Sequence, residues 1–447
     1  MIIRRLGSEL RKFIAREEQH KSVLIVQGAR QVGKTYLIES TLSSIKTKQV
    51  AQFNLERDKI LRDEINRSQD FEDFEKILKK YGFIPLQSAI LFIDEAQESL
   101  KLGSYVRFMK EQWKATTVIL SGSSISKLFS GDLRVPDSSV PVGRMEYLRV
   151  TPIDFPEYVN ALNREDIYQQ ALTNPNKISE FVHQELLQLY DRYLEIGGLP
   201  NVVSQAMSGA SLQQLAQLRM EIYLSQEEDF TRKENGLKAH LFRDGTRAVA
   251  ELLGQPFSLT RISPNHRDGK TTLETLCEWL IAYKCDQKTL SPTSEPRPKL
   301  YLYDIGLARQ LRETSLPMTS FSTTKDSATR TALGGLVENA IYLEMQQGKK
   351  FLNEISGWRK STRDGVEVDF IYKLDRKTVP IEVKCSDKID RRKFAGMKLY
   401  LQKSNQQLGI YVSTAPYEVI YEDGLTITNL PVYLAGADMI QRIGAES

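Results

Sequence analysis

The sequence predicts an α/β protein of several domains whose first domain is a parallel sheet carrying a phosphate-binding turn, and three stretches support this. Gly28 to Thr35 reads GARQVGKT and follows an apolar, β-branched run, SVLIVQ. Ala89 to Gln97 reads AILFIDEAQ, a second apolar run that ends in two acids. Near the C-terminus GVEVDFIY and VPIEVK alternate polar and apolar residues at period two, as a hairpin does. At 447 residues the chain exceeds one ordinary core, and a domain size of roughly 100 to 200 residues predicts three or four.

The first stretch fits G-x-x-x-x-G-K-[ST] at every fixed position and reads as a P-loop. The strand before it and a helix over Tyr36 to Ser44 give the context the motif needs. Glycines at 28 and 33 let the backbone bend so that successive N–H groups point inward at a positive helix end, which makes a nest for phosphate. The cofactor-binding set is therefore Gly28, Ala29, Arg30, Gln31, Val32, Gly33, Lys34, Thr35 and Tyr36. Lys34 is expected on the β- and γ-phosphates of ATP, and the Thr35 hydroxyl on Mg²⁺.

A helix with Phe71, Phe74, Ile77 and Leu78 on one face separates this turn from the second stretch. There the strand ends in a Walker B pattern, with Asp94 on Mg²⁺ through its water shell and Glu95 polarising the attacking water. A third strand, Thr117 to Leu120, runs into Ser121, Gly122, Ser123 and Ser124. Ser121 or Ser123 is a candidate for contact with the γ-phosphate or the water, and equally an ordinary turn former.

The composition, 41% hydrophobic and 26% charged, is that of a globular chain. No apolar run approaches the roughly 20 residues that span a bilayer, and MIIRRLGSELRKFIAREE has no signal-peptide core, so a cytoplasmic address without membrane contact is expected. Cys277, Cys285 and Cys385 form no C-x-x-C pair, and the four histidines lie far apart, which leaves any chemistry to carboxylates and lysines. A formal charge of +4 is small for this length, so a nucleic-acid surface would have to be local.

Together with GARQVGKT, FIDEAQ and LSGSS, the segment PVGRMEYLRVTPIDFPEYV at Pro141 to Val159 resembles the AAA+ ATPase family. The resemblance implies that Arg144 is a finger supplied in trans, which would make a homo-oligomer part of catalysis; pairing of Arg144 with Glu146 or Asp154 is the alternative. Leu186, Leu187, Tyr190 and Leu194 share a helical face before Gly197, Gly198 and Pro200, and a helix over Leu212 to Glu228 follows. The resemblance implies a mobile lid there. From His240 to Leu311 three helical runs precede KLYLYDI at Lys299 to Ile305, and the resemblance implies a winged-helix unit. Leu276, Trp279, Leu280 and Tyr283 are spaced as its core. Arg312 to Arg330, rich in Ser and Thr, reads as a linker.

In the C-terminal unit alternation puts Glu382 and Lys384 on one strand face, with Asp369 within cross-strand reach on the partner strand. The helix Leu333 to Leu343 turns Glu338 inward among Ala, Leu and Val. This layout resembles the PD-(D/E)XK restriction-endonuclease-like fold, although Val368 stands where that motif has proline. The resemblance implies Mg²⁺ or Mn²⁺ on Glu338, Asp369 and Glu382, with Lys384 steadying the attacking water. A cross-strand salt bridge between Asp369 and Lys384 would place the same residues.

The domains expected are thus an AAA+ P-loop core (1–159), a helical lid (160–237), a winged-helix-like unit (238–312), a linker (313–330) and a restriction-endonuclease-like domain (331–447). The activity expected is Mg²⁺-dependent ATP hydrolysis coupled to DNA handling by a nuclease-like domain. The alternative is an ATP-dependent switch or assembly protein whose C-terminal domain binds DNA or a protein partner without cleavage.

Overall fold

The computed structural model describes residues 2–16, 22–46, 48–85, 89–123, 125, 128, 145–232, 237–289, 296–312, 327–347, 355–361, 365–374 and 377–446. The chain divides into two compact units, Ile3–Thr151 and the part from Pro152 onward.

The first unit opens with α1 (Leu6–Ile14), which buries Leu6, Leu10, Phe13 and Ile14 along one stripe. There follow β1 (Val23–Gln27), α2 (Lys34–Leu42), β2 (Gln49–Asn54), α3 (Lys59–Arg67), α4 (Phe71–Lys80), β3 (Ala89–Asp94), α5 (Leu102–Gln112), β4 (Thr117–Gly122) and β5 (Met145–Arg149). The strands β1, β3 and β4 are continuous β-branched or aliphatic runs because helices cover both sheet faces. Asp70 caps α4 by accepting from Asp73 N, and Phe71 and Phe74 pack with Tyr105 and Trp113 beneath the sheet. Each such ring contributes on the order of 2–3 kcal/mol by leaving water.

The five strands are all parallel, in the order β2-β3-β4-β1-β5. Chain order reverses beside β1, and ligands of such sheets sit outside the carboxyl ends of the strands at that switch. The turn after β1, the end of β3 and the end of β4 are therefore brought to one edge. The strand expected to stop at Leu120 continues through Ser121 and Gly122, because their backbone pairs with Val26 and Gln27 of β1.

The second unit begins with α6 (Phe155–Ala161), closed by a capping box between Asp154 and Glu157, then α7 (Glu165–Thr173), α8 (Glu180–Ile196), α9 (Pro200–Met207) and α10 (Leu212–Thr231). The helix α8 stops at Gly197, whose φ of 82° lies in the left-handed region that only glycine adopts freely. The turn there is seated on Asp304, whose carboxylate accepts from Gly198 N at 2.7 Å and from Leu307 N at 2.7 Å.

Next come α11 (Ala239–Glu251), α12 (His266–Glu278), β6 (Ala282–Cys285), β7 (Gln287–Thr289), β8 (Lys299–Leu302) and α13 (Ile305–Gln310), with β6 and β8 paired antiparallel. The strand read as far as Ile305 ends at Leu302 because Asp304 caps α13. Leu276, Trp279, Leu280 and Tyr283 are all buried, as their spacing requires.

The helix α14 (Ser327–Gln346) starts inside the stretch read as a linker; residues 313–326 lie outside the described residues. Ser and Thr are weak helix formers, so its first turn carries no sequence signal, and the buried Leu333, Leu336, Val337 and Ile341 further along anchor it. Then come β9 (Ile355–Arg359), β10 (Glu367–Leu374), β11 (Lys377–Val383), α15 (Ala395–Ser404), β12 (Leu408–Ser413), β13 (Glu418–Glu422), β14 (Leu425–Pro431) and α16 (Ala437–Glu446). Their mixed sheet runs β13-β14-β12-β11-β10-β9-β7, so β7 supplies an edge strand from the segment that precedes α14. Among the described residues no helix is long and apolar enough to cross a membrane, and Cys277, Cys285 and Cys385 form no disulfide.

Candidate nucleotide site and a second charged cluster

The turn between β1 and α2 is shaped by its glycines. A Cβ on Gly28 would collide with the Val150 carbonyl oxygen, and Gly33 holds φ at 90° as the cap of α2. Ala29 and Val32 point into the fold, Arg30 is half-buried in an ion pair with Glu56 (3.6 Å), and Gln31 and Tyr36 are exposed. Lys34 is buried, and its ammonium donates to the carbonyls of Gly28 and Ala29 at 3.0 Å each. Burial lowers its pKa, and the nearby Glu95 and Asp94 oppose that shift.

Asp94 is the hub of the site. Its Oδ2 accepts from Thr35 Oγ1 at 2.8 Å and from Asn54 Nδ2 at 3.1 Å, and its Oδ1 accepts from Ser121 Oγ. These donors come from the start of α2 and the ends of β2 and β4, which the strand order brings around the end of β3. Carboxylate and hydroxyl oxygens of this kind suit Mg²⁺, which prefers hard oxygen ligands.

Glu95 follows with φ of 48°, an unusual value for a residue with a side chain and one that costs on the order of 1 kcal/mol or more. That turn separates its carboxylate from Asp94, and Gln97 Nε2 donates to it at 2.6 Å. Of the two candidate serines, Ser121 reaches Asp94, while Ser123 lies beyond the strand in a half-buried bend. Arg144 lies outside the described residues. Of the two acids near it, Glu146 accepts from Arg16 at 2.5 Å, and Asp154 caps α6 and accepts from Gln347 at 3.1 Å.

Asn54 and Arg4 belong to the site without having been legible in the sequence. Arg4 is buried and donates to Val32 O at 2.9 Å and Thr151 O at 2.7 Å, which ties the P-loop to the chain that leaves β5. An arginine just ahead of a charged N-terminal helix gives no hint of this.

The second constellation lies in the other unit. Asp369 on β10, Glu382 on β11 and Glu338 on α14 are buried, and Lys384 follows β11 half-buried. Lys384 Nζ lies 3.2 Å from Asp369 Oδ2 and 2.5 Å from Glu382 Oε1, and Val383 N donates to Asp369 Oδ2 at 3.0 Å. The cross-strand ion pair weighed from the sequence is thus present.

A fifth member was not foreseen. Lys299 on β8, with a side chain only 1% exposed, donates to Glu338 Oε1 at 2.9 Å and to Asp369 Oδ1 at 3.0 Å. Tyr301 Oη donates to the same Glu338 oxygen at 2.6 Å. Burial alone would lower the Lys299 pKa, yet Asp369, Glu338 and Glu367 together hold it well above its ordinary value. Burial pushes Glu382 up to about 8, with Asp369 adding to the shift and Lys384 opposing it. Its Oε2 has no hydrogen-bond partner among the described residues. Among those residues no group of three or more His, Cys, Asp or Glu is arranged to hold a metal ion, and the cation seated between Glu338 and Asp369 is the lysine.

A parallel sheet with a glycine-shaped turn at its switch point, Lys34 and Thr35 at the helix start and Asp94 on a neighbouring strand define a P-loop nucleotide-binding domain. Residues 20–159 match the family model described as an AAA domain, and this segment is a P-loop AAA ATPase domain that takes ATP. Two domains of unknown function, DUF8612 and DUF4143, match residues 187–318 and 333–433. Solved structures similar to the chain include a Walker-type ATPase of Pyrococcus abyssi, with 14% identity, TM-score 0.43, and 70% of this chain and 96% of that one covered. Another is AMPPCP-bound DnaA from Aquifex aeolicus, with 12% identity, TM-score 0.31, and 62% and 90% covered. A sequence search of curated proteins found no match.

Proposed function

We propose that the protein is a Mg²⁺-dependent ATP hydrolase that couples its nucleotide state to the handling of DNA by the C-terminal half. The observation that carries the hydrolase reading is the Asp94 hub, where Thr35, Asn54 and Ser121 converge on one carboxylate beside Lys34. Lys34 exchanges the Gly28 and Ala29 carbonyls for phosphate oxygens, Thr35 and Asp94 hold the metal, and Glu95 orients and deprotonates water. Mg²⁺, when bound, would supply stabilisation for the charge on the transferred γ-phosphoryl group and the departing ADP. Arg144 acts in trans from a neighbouring copy. An inactive Lys34→Ala chain mixed with an inactive Arg144→Ala chain should then regain turnover, because each supplies what the other lacks; mixtures that stay as inactive as their components would count against a shared site.

For the C-terminal half, the order of α11, α12 and the β6–β8 pair supports a winged helix, and Asp369 and Glu382 on adjacent strands support a restriction-endonuclease-like sheet. DNA contact is supported by Arg391, Arg392 and Lys393, an exposed basic turn between the strand that carries Glu382 and α15. Of the two readings, cleavage and binding alone, the ammonium of Lys299 between Glu338 and Asp369 favours binding alone.

The test is ATP turnover with and without duplex DNA. Stimulation should fall steeply between about 50 and 200 mM salt, and an Arg391→Glu/Lys393→Glu chain should bind more weakly with a salt slope reduced by about 2. Turnover indifferent to DNA at both salts would send the search to protein partners.

A further inference from the structure

We propose that Lys299 is the resident cation of the C-terminal acidic cluster, an internal ammonium that takes the place of a divalent ion and keeps the full-length chain metal-free at this site. The inference rests on the restriction-endonuclease-like reading of Glu338, Asp369 and Glu382, acids that are not arranged to hold a metal ion while the ammonium stands between them.

Three observations carry it. The ammonium bridges one oxygen of Glu338 and one of Asp369, at 2.9 and 3.0 Å, the pair of oxygens a metal would need to share. A Mg²⁺ ion would demand the same oxygens at about 2.0–2.1 Å, and two cations cannot occupy that gap together. Charge is also nearly balanced already, since Lys299, Lys384 and Arg359 face the four acids Glu338, Asp369, Glu382 and Glu367.

Second, Lys299 is held in place. Its strand β8 pairs with β6 on one side, Lys299 itself bridges to Pro256, and Tyr301 two residues on bonds the same Glu338 oxygen. Glu338 is confined in turn by the turn at Gly254, whose φ of 74° and lack of a side chain let the backbone lie against the carboxylate. The lysine cannot swing out to water as a surface lysine does unless β8 moves.

Third, one oxygen of the set is left over. Glu382 is 6% exposed, its Oε1 bonds Lys384, and its buried Oε2 has no hydrogen-bond partner among the described residues. An unsatisfied buried carboxyl oxygen is costly, and neither ammonium of the cluster satisfies this one.

The experiment uses the full chain and Mn²⁺ alone as probe, read by electron paramagnetic resonance and by thermal unfolding. Wild type should take up no Mn²⁺ that depends on Asp369. Lys299→Met, which keeps an unbranched side chain one atom shorter and so removes only the ammonium from the gap, should melt lower and bind one additional Mn²⁺. Saturating Mn²⁺ should raise its melting temperature by about 5 °C or more, a gain absent from Lys299→Met/Asp369→Asn. If Lys299→Met does not fold, wild-type crystals soaked in Mn²⁺ decide by anomalous scattering: density for manganese between Glu338 and Asp369 overturns the inference, and its absence there supports it. A folded Lys299→Met chain that takes no extra Mn²⁺ overturns both the inference and the metal-binding reading of the acids. Mn²⁺ bound between Glu338 and Asp369 in wild type overturns the inference alone.

Discussion

Glu95→Gln should bind ATP as wild type does while its turnover falls by about 10²- to 10⁴-fold, the span that removal of a general base commands. The change keeps size and hydrogen-bonding reach and removes only the negative charge. The neighbouring Asp94, held by Thr35, Asn54 and Ser121, keeps its partners, so the binding half of the site should survive. Lys34→Ala is the contrasting variant. It removes the buried ammonium that meets the phosphates, and loses nucleotide affinity itself. Fluorescent-nucleotide titration beside steady-state turnover separates the two, and a Glu95→Gln chain that hydrolyses at the wild-type rate would remove Glu95 from the mechanism.

Asp304→Ala should destabilise the unit that begins at Pro152 by about 3–5 kcal/mol, because it strands at least two buried N–H groups at about 1–3 kcal/mol each. Those groups, Gly198 N and Leu307 N, lie on the break after α8 and at the start of α13, so one carboxylate closes two chain ends at once. Asp304→Asn retains one acceptor oxygen and should lose about half as much. Urea unfolding with hydrogen exchange at the Gly198 and Leu307 amides provides the measurement; an unchanged midpoint for the alanine variant would show that water or another acceptor takes over.

The nucleotide site was legible because its chemistry is contiguous. The bend at Gly28 and Gly33 and the two acids at the end of β3 each occupy one short stretch, and local spacing implies local geometry. Asn54 was invisible for the opposite reason: it reaches Asp94 only because β2 and β3 lie side by side, with Asn54 in register with Asp94.

Lys299 is the instructive omission. The run KLYLYDI was read as a strand, and period two already places Lys299 and Tyr301 on the same face. A lysine inside such an apolar run is rare enough in a core to demand a carboxylate opposite. The start of α14 was missed because its first turn carries Ser and Thr, and the burial that holds it lies further along the helix.

The edge strand β7 and the lysine on β8 both reach the C-terminal sheet from the chain ahead of α14. A segment cut out from residue 331 onward therefore leaves behind one strand and the ammonium that pairs with Asp369 of the sheet and Glu338 of α14. A chimera joined between residues 302 and 327 would inherit its carboxylates and Lys384 from one parent and the buried Lys299 from the other, and would be viable only where the parents agree at both ends.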